Sequence, residues 1–136
     1  MDMQKILTEA AAKVGPSGQE MQVAEYFAEQ FRPLVDEVTV DNLFNVIAHK
    51  KGTGPRVALF AHMDEISLMV TAIEDDGSLR LGNVGGVDPR ILPASRVWVH
   101  GKERLFGTIG ALPPHLMSAE DRSKNYDRKD LYVDVG

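Results

Sequence analysis

A histidine and two carboxylates fall within four residues of one another at His62, Asp64 and Glu65. Imidazole and carboxylate are the groups that hold divalent cations and move protons near neutral pH. His62 and Asp64 are two apart, and in an extended chain side chains at that spacing lie on the same side. The Asp64 carboxylate can then accept one imidazole N–H of His62 and leave the other ring nitrogen free, the arrangement that orients a metal-bound histidine. Against this stands the plainer reading, a polar strand end followed by a turn. The chain contains no cysteine, so disulfides, thiolate zinc sites and a cysteine nucleophile are excluded, and any metal must be held by His, Asp and Glu. No Gly-x-Ser-x-Gly elbow is present for a serine hydrolase. The other histidines offer less. His49 lies beside two lysines, His100 at a hairpin corner and His115 after two prolines, positions that suit structural or solvated residues.

The segment leading into this group, residues 57–61, carries no charge on either face and follows a Gly-Thr-Gly-Pro stretch. That is the pattern of a strand buried on both sides of a parallel sheet. In open α/β sheets ligands sit outside the carboxyl ends of such strands, which is where His62 and Asp64 would stand.

Upstream, Ile6, Leu7, Ala10, Ala11 and Val14 recur at helical spacing until Gly15 and Pro16 stop the helix. Ser17 and Glu20 have the spacing of a capping box, which predicts a second helix from near Gly18 with an apolar stripe of Met21, Ala24, Phe27, Ala28 and Phe31, ended by Pro33. Residues 37–41 alternate as a half-buried strand, and 45–48 form a second short one. Two helices, two strands and a buried strand suggest the opening of an α/β domain whose parallel sheet is incomplete.

After Glu65 the pattern becomes all-β. Residues 66–72 alternate, an Asp-Asp-Gly-Ser turn follows at 75–78, and residues 79–81 return as a hairpin. The glycine-rich run at 83–86 lacks the Gly-Lys-Ser/Thr ending of a phosphate loop. Residues 96–100 and 104–109 form a further hairpin, in which Trp98 is expected in the core. Eight of the thirteen residues at 118–130 are charged and Tyr126 is the one aromatic, too little apolar surface to fold alone, so a surface loop is expected there. Residues 131–135 alternate as a last strand.

Twenty acidic and 15 basic residues give a net charge of −5 without any clustering of Lys and Arg, so neither nucleic acid nor an anionic membrane is expected as a partner. No apolar run approaches the roughly 18 residues of a membrane span, and the N-terminal residues lack the order of a signal peptide. A cytoplasmic protein is expected.

Five motifs, in order over nearly the whole chain, resemble the tetrahedral aminopeptidases, also called glutamyl or deblocking aminopeptidases. They are Gly-Pro-Ser-Gly-Gln-Glu at 15–20, Ala-His-Met-Asp-Glu-Ile at 61–66, Gly-Gly-Val-Asp-Pro-Arg-Ile-Leu-Pro at 85–93, Gly-Thr-Ile-Gly at 107–110 with Pro-Pro-His at 113–115, and Asp-Leu-Tyr-Val-Asp-Val-Gly at 130–136. The resemblance implies an α/β fold: an incomplete peptidase α/β sandwich in 1–65, an inserted small β-barrel resembling a PDZ domain in 66–130, and a re-entry strand in 131–136. It implies a two-metal aminopeptidase using zinc or cobalt on peptide substrates, with His62 as a ligand of one metal and Asp64 as the catalytic carboxylate that orients it. It also implies self-association through the β-domain, from dimer to dodecamer. The family's bridging aspartate, paired glutamates and remaining ligands have no counterpart in these 136 residues, so the isolated chain is expected to be inactive. The rival from another class is a non-catalytic assembly or binding module in which His62 is a relic. A related carboxypeptidase or deacetylase also uses a His-x-Asp strand, but the Gly-Gly-Val-Asp-Pro and Pro-Pro-His motifs argue against it.

Overall fold

The structure is a computed structural model that describes residues 2–118, 120 and 126–136. The chain is mixed α/β and divides into two compact units, Met1–Ile66 and Ser67–Gly136.

In the first unit, Asp2 caps helix α1 (Met3–Ala11), its carboxylate accepting the Lys5 N–H at 3.1 Å. Such a cap satisfies one of the orphan donors at a helix start. Helix α2 (Met21–Phe31) buries Val23, Ala24, Tyr26 and Ala28. The expected stripe is thus half right: Ala24 and Ala28 are buried, whereas Met21 and Phe31 are exposed and Tyr26 takes the inward position. The Tyr26 hydroxyl donates toward Glu9 Oε2 at 3.1 Å and lies 3.3 Å from the Ile6 carbonyl oxygen, tying α2 to α1. Strands β1 (Glu37–Val40) and β2 (Val46–His49) pair antiparallel from Glu37↔His49 to Val40↔Val46, and α2 packs against both. Their turn is organised by Asp41, whose carboxylate accepts from the Leu43 and Asn45 backbones and from Asn45 Nδ2.

Two expectations fail in this unit. No strand forms over 57–61: Val57, Leu59 and Phe60 are 82%, 94% and 93% exposed, and no described strand pairs with them. A doubly buried strand takes its hydrogen bonds from neighbours on both sides. Here the β1–β2 hairpin pairs only with itself, so the apolar segment has no sheet to enter. The capping box is also absent. Helix α2 starts at Met21 rather than near Gly18. Glu20 Oε1 accepts the Gly18 N–H at 2.9 Å, and the Ser17 hydroxyl turns away from the helix.

The second unit is one five-stranded sheet made of β3 (Ser67–Ile73), β4 (Leu79–Val84), β5 (Arg96–His100), β6 (Arg104–Ala111) and β7 (Leu131–Asp134). Its order is β3-β4-β7-β6-β5 and every ladder is antiparallel, in keeping with the hairpins expected after Glu65. Gly77, at φ +85°, makes the predicted Asp-Gly turn, a backbone conformation that glycine adopts without steric cost. The core joins Leu79 and Leu81 of β4, Ile109 of β6 and Leu131 and Val133 of β7, and Leu92 covers it. Period-two alternation puts Val97 and Val99 against this core and Trp98 on the other face. Trp98 is therefore not a core residue. It is 53% exposed, edge-on to Phe106 with ring centroids 5.5 Å apart, and the Arg104 guanidinium lies 4.0 Å from its ring centroid. Strand β7, expected to re-enter the first region, instead occupies the middle of this sheet, because its Leu131 and Val133 are needed to fill the core between β4 and β6. Of the loop expected at 118–130, residues 119 and 121–125 lie outside the described residues. Within the described part of that range, Tyr126 packs on the core and Arg128–Asp130 forms a 3-10 turn.

Candidate active site

The residues singled out by spacing meet in the first unit. Two backbone segments come together there, the connection between α1 and α2 and the end of the 50–64 segment. Glu65 N–H donates to the Gly15 carbonyl at 2.9 Å, Gly15 N–H donates to Glu65 Oε1 at 3.1 Å, and Pro16 and Glu65 form a single parallel bridge. Gly15 is required by packing. A Cβ at that position would stand 2.8 Å from Val23 Cγ1, well inside van der Waals contact with α2. The close approach of the loop to α2 therefore fixes where residues 16–18 lie.

On this platform His62 Nδ1 is 3.1 Å from Asp64 Oδ1 and 3.2 Å from the Asp64 carbonyl oxygen. Both are acceptors, so Nδ1 is the donor, and in the neutral imidazole Nε2 then presents its lone pair. Nε2 has no hydrogen-bond partner among the described residues, and the side chain is 86% exposed. The other carboxylate oxygen, Asp64 Oδ2, accepts the Ser17 hydroxyl at 2.5 Å. The Asp64 carboxyl is held below the usual aspartate range, first by the Ser17 hydrogen bond and then by His62, with partial burial pulling the other way. It is an anion at neutral pH.

The order of this relay decides its chemistry. In a hydrolytic serine triad the imidazole touches the hydroxyl and takes its proton. Here the carboxylate stands between them, so Ser17 is not an activated nucleophile. An imidazole backed by a carboxylate at Nδ1 and open at Nε2 suits a cation ligand when neutral, and the donor set fits the part expected of His62 and Asp64. The set is nonetheless short of a closed site. No group of three or more metal-ligating side chains occurs among the described residues, and Glu65 is engaged with the Gly15 N–H. His49, His100 and His115 are all exposed and join no such group. Sequence reasoning found His62 and Asp64 but placed Ser17 at a helix cap. A serine 47 residues from its carboxylate carries no local signal of that contact.

Residues 45–136 match the family model of the M42 glutamyl aminopeptidases. The chain belongs to this family. The lysyl aminopeptidase of Pyrococcus furiosus is 42% identical over 125 residues, which cover 90% of this chain and 36% of that protein. Among solved structures, a TET aminopeptidase from a marine sediment archaeon of the Thaumarchaeota superposes with a TM-score of 0.90 at 30% identity, covering 98% of this chain and 38% of the other. The TET1 peptidase of Pyrococcus horikoshii, described as assembling into a tetrahedron or a large octahedral shell, gives 0.83 at 37% identity over 99% of this chain and 41% of its own. The chain thus spans little more than a third of the length of these M42 relatives.

Proposed function

We propose that the chain is the N-terminal part of a metal-dependent aminopeptidase that releases N-terminal residues from peptides. The observation that carries this reading is the His62–Asp64 pair, with Nδ1 held and Nε2 open, in a chain of the M42 family. His62 would hold one of two divalent ions, zinc or cobalt, and Asp64 would fix its tautomer and orientation. Two such ions together supply Lewis acidity for the scissile carbonyl and a nucleophilic water. The described residues provide one of the ligands such a centre needs, so the 136-residue chain is inactive by itself. In the complete protein, residues 1–65 contribute to the peptidase domain and the sheet of the second unit is an inserted, PDZ-like assembly domain. Its exposed apolar side chains, Met69, Ile73, Trp98 and Phe106 among them, supply the surface for self-association toward dimers and a dodecamer. No helix among the described residues is long and apolar enough to cross a membrane, and we place the protein in the cytoplasm.

Zinc and cobalt titrations of the purified chain test the ligand assignment. His62→Ala should lose the bound ion, and Asp64→Asn should keep it with affinity lowered about 10- to 100-fold, the usual effect of removing an orienting partner. Binding in His62→Ala equal to wild type refutes it. Hydrolysis of aminoacyl anilides by the 136-residue species itself would refute the claim that it is inactive. Sedimentation should show species larger than 15.0 kDa at high micromolar concentration. A monomer alone would remove the assembly role.

A further inference from the structure

We propose that Ser17 is a positioning residue of this site: its hydroxyl clamps Asp64, and through Asp64 it sets the tautomer and orientation in which His62 offers Nε2 to a divalent cation. The proposal rests on the reading of His62 as a ligand and extends it to a residue in a separate segment of the chain.

The geometry separates the two carboxylate oxygens. Oδ1 accepts from His62 Nδ1 and Oδ2 accepts from Ser17 Oγ, so Asp64 is held from both ends and its rotation about the Cβ–Cγ bond is blocked. Without Ser17, one hydrogen bond to an exposed imidazole would be the only side-chain restraint on that rotation among the described residues, and an imidazole 86% exposed has little packing of its own to keep it in place. The serine itself is well located. Its loop is stitched to residue 65 by two hydrogen bonds and the Pro16 bridge, and the close contact of Gly15 with Val23 seats it on α2. The hydroxyl has one proton, and giving it to Asp64 is the one role that a helix cap, which needs the oxygen as an acceptor, would not use. A neutral histidine with its proton fixed on Nδ1 presents Nε2 as an unprotonated donor, so a cation meets a ligand already in the binding form.

The test begins on the metal-free 136-residue chain, using long-range proton–nitrogen correlation spectra of His62 at a pH where its imidazole is neutral. Wild type should carry the His62 proton mainly on Nδ1. Ser17→Ala should shift the populations toward those of Asp64→Asn, and Ser17→Thr, which keeps the hydroxyl, should restore them. Amide shifts of α2 and the β1–β2 hairpin identify whether each variant is folded. Zinc titration of the same samples should show affinity about 10-fold weaker in Ser17→Ala, the low end of the effect of outer-shell partners, and recovered in Ser17→Thr. Tautomer populations in folded Ser17→Ala equal to wild type would overturn the proposal, as would a Ser17→Thr variant indistinguishable from Ser17→Ala. The two readings fail separately. If zinc leaves His62 unperturbed in wild type while its tautomer still depends on Ser17, the ligand assignment falls and the positioning role stands.

Discussion

Gly107→Ala probes how tightly the second unit's core is built. Gly107 is buried on β6, and a Cβ there would stand 2.6 Å from Val133 Cγ1, 3.1 Å from the Asp134 carbonyl oxygen and 3.4 Å from Val135 Cγ1. Carbon contacts settle at about 3.5–4.0 Å, so the new methyl and Val133 must separate by about 1 Å. Neither gives way easily. Val133 is 1% exposed, its branched side chain has few rotamers to move into, and β7 is hydrogen-bonded to strands on both sides. Overpacking of this kind costs about 1–3 kcal/mol, and the lack of slack points to the upper half of that range. Replacing glycine also removes freedom from the unfolded chain, which returns about 0.4–1 kcal/mol. The net loss is about 1–2.5 kcal/mol, or a fall in Tm of roughly 4–8 °C for each kcal/mol in a unit of this size. Trp98 is the sole tryptophan and lies on β5 of the same sheet, so its fluorescence follows the melting of this unit. Gly86→Ala is the control, because nothing lies within 4 Å of its Cβ position. It should melt at or slightly above the wild-type temperature. A Gly107→Ala variant as stable as Gly86→Ala would show that β6 and β7 are not packed as described.

Asp88 accepts from Arg90 through both carboxylate oxygens, and the Arg90 guanidinium holds its pKa down to about 2. A depressed carboxylate stabilises the fold above its unfolded value and loses that contribution as the pH falls. The stability of the second unit should therefore decline between about pH 4 and pH 2, and acid melts of Asp88→Asn should be flatter across that window. Leu131→Ala removes a side chain that is 0% exposed at the middle of the sheet. It should cost about 2–5 kcal/mol by urea denaturation, a large share of a total of about 5–15 kcal/mol.

What the sequence disclosed followed the range of the interactions. The hairpins of the second unit are local, and an Asp-Gly turn or an alternating run announces them, so β3, β5 and β6 are legible within a residue or two of their ends, while β4 runs on to Val84, three residues past the expected 79–81. The facing of Trp98 is legible in principle from Val97 and Val99, since a period of two sends their neighbour outward, against the expectation that Trp98 lies in the core. The place of β7 was not legible. Alternation marks a strand without naming its partners, and β7 finds them at β4 and β6. The same holds at the site. Two residues at i and i+2 declared the His62–Asp64 contact, whereas Ser17 reaches Asp64 only because Gly15 docks on α2. Residues 57–61 mark the opposite case, in which an apolar pattern correct for a buried strand is not matched by strands to pair with it.

The central position of β7 has a consequence for how the chain acquires its shape. The other four strands form two separate hairpins, each with the edge that will face β7 still unpaired, and residues 131–134 join them by pairing with β4 on one side and β6 on the other. The contact of Leu79 with Val133 closes a long loop, an entropy cost that must be met before any core is gained. Until β7 is in place, the nascent sheet is two sticky halves with open edges, the form in which β-proteins capture one another. A pause in synthesis before residues 131–134 emerge is therefore more hazardous to this unit than a comparable pause after they have paired, and a peptide of the β7 sequence supplied in trans is the natural competitor for the gap.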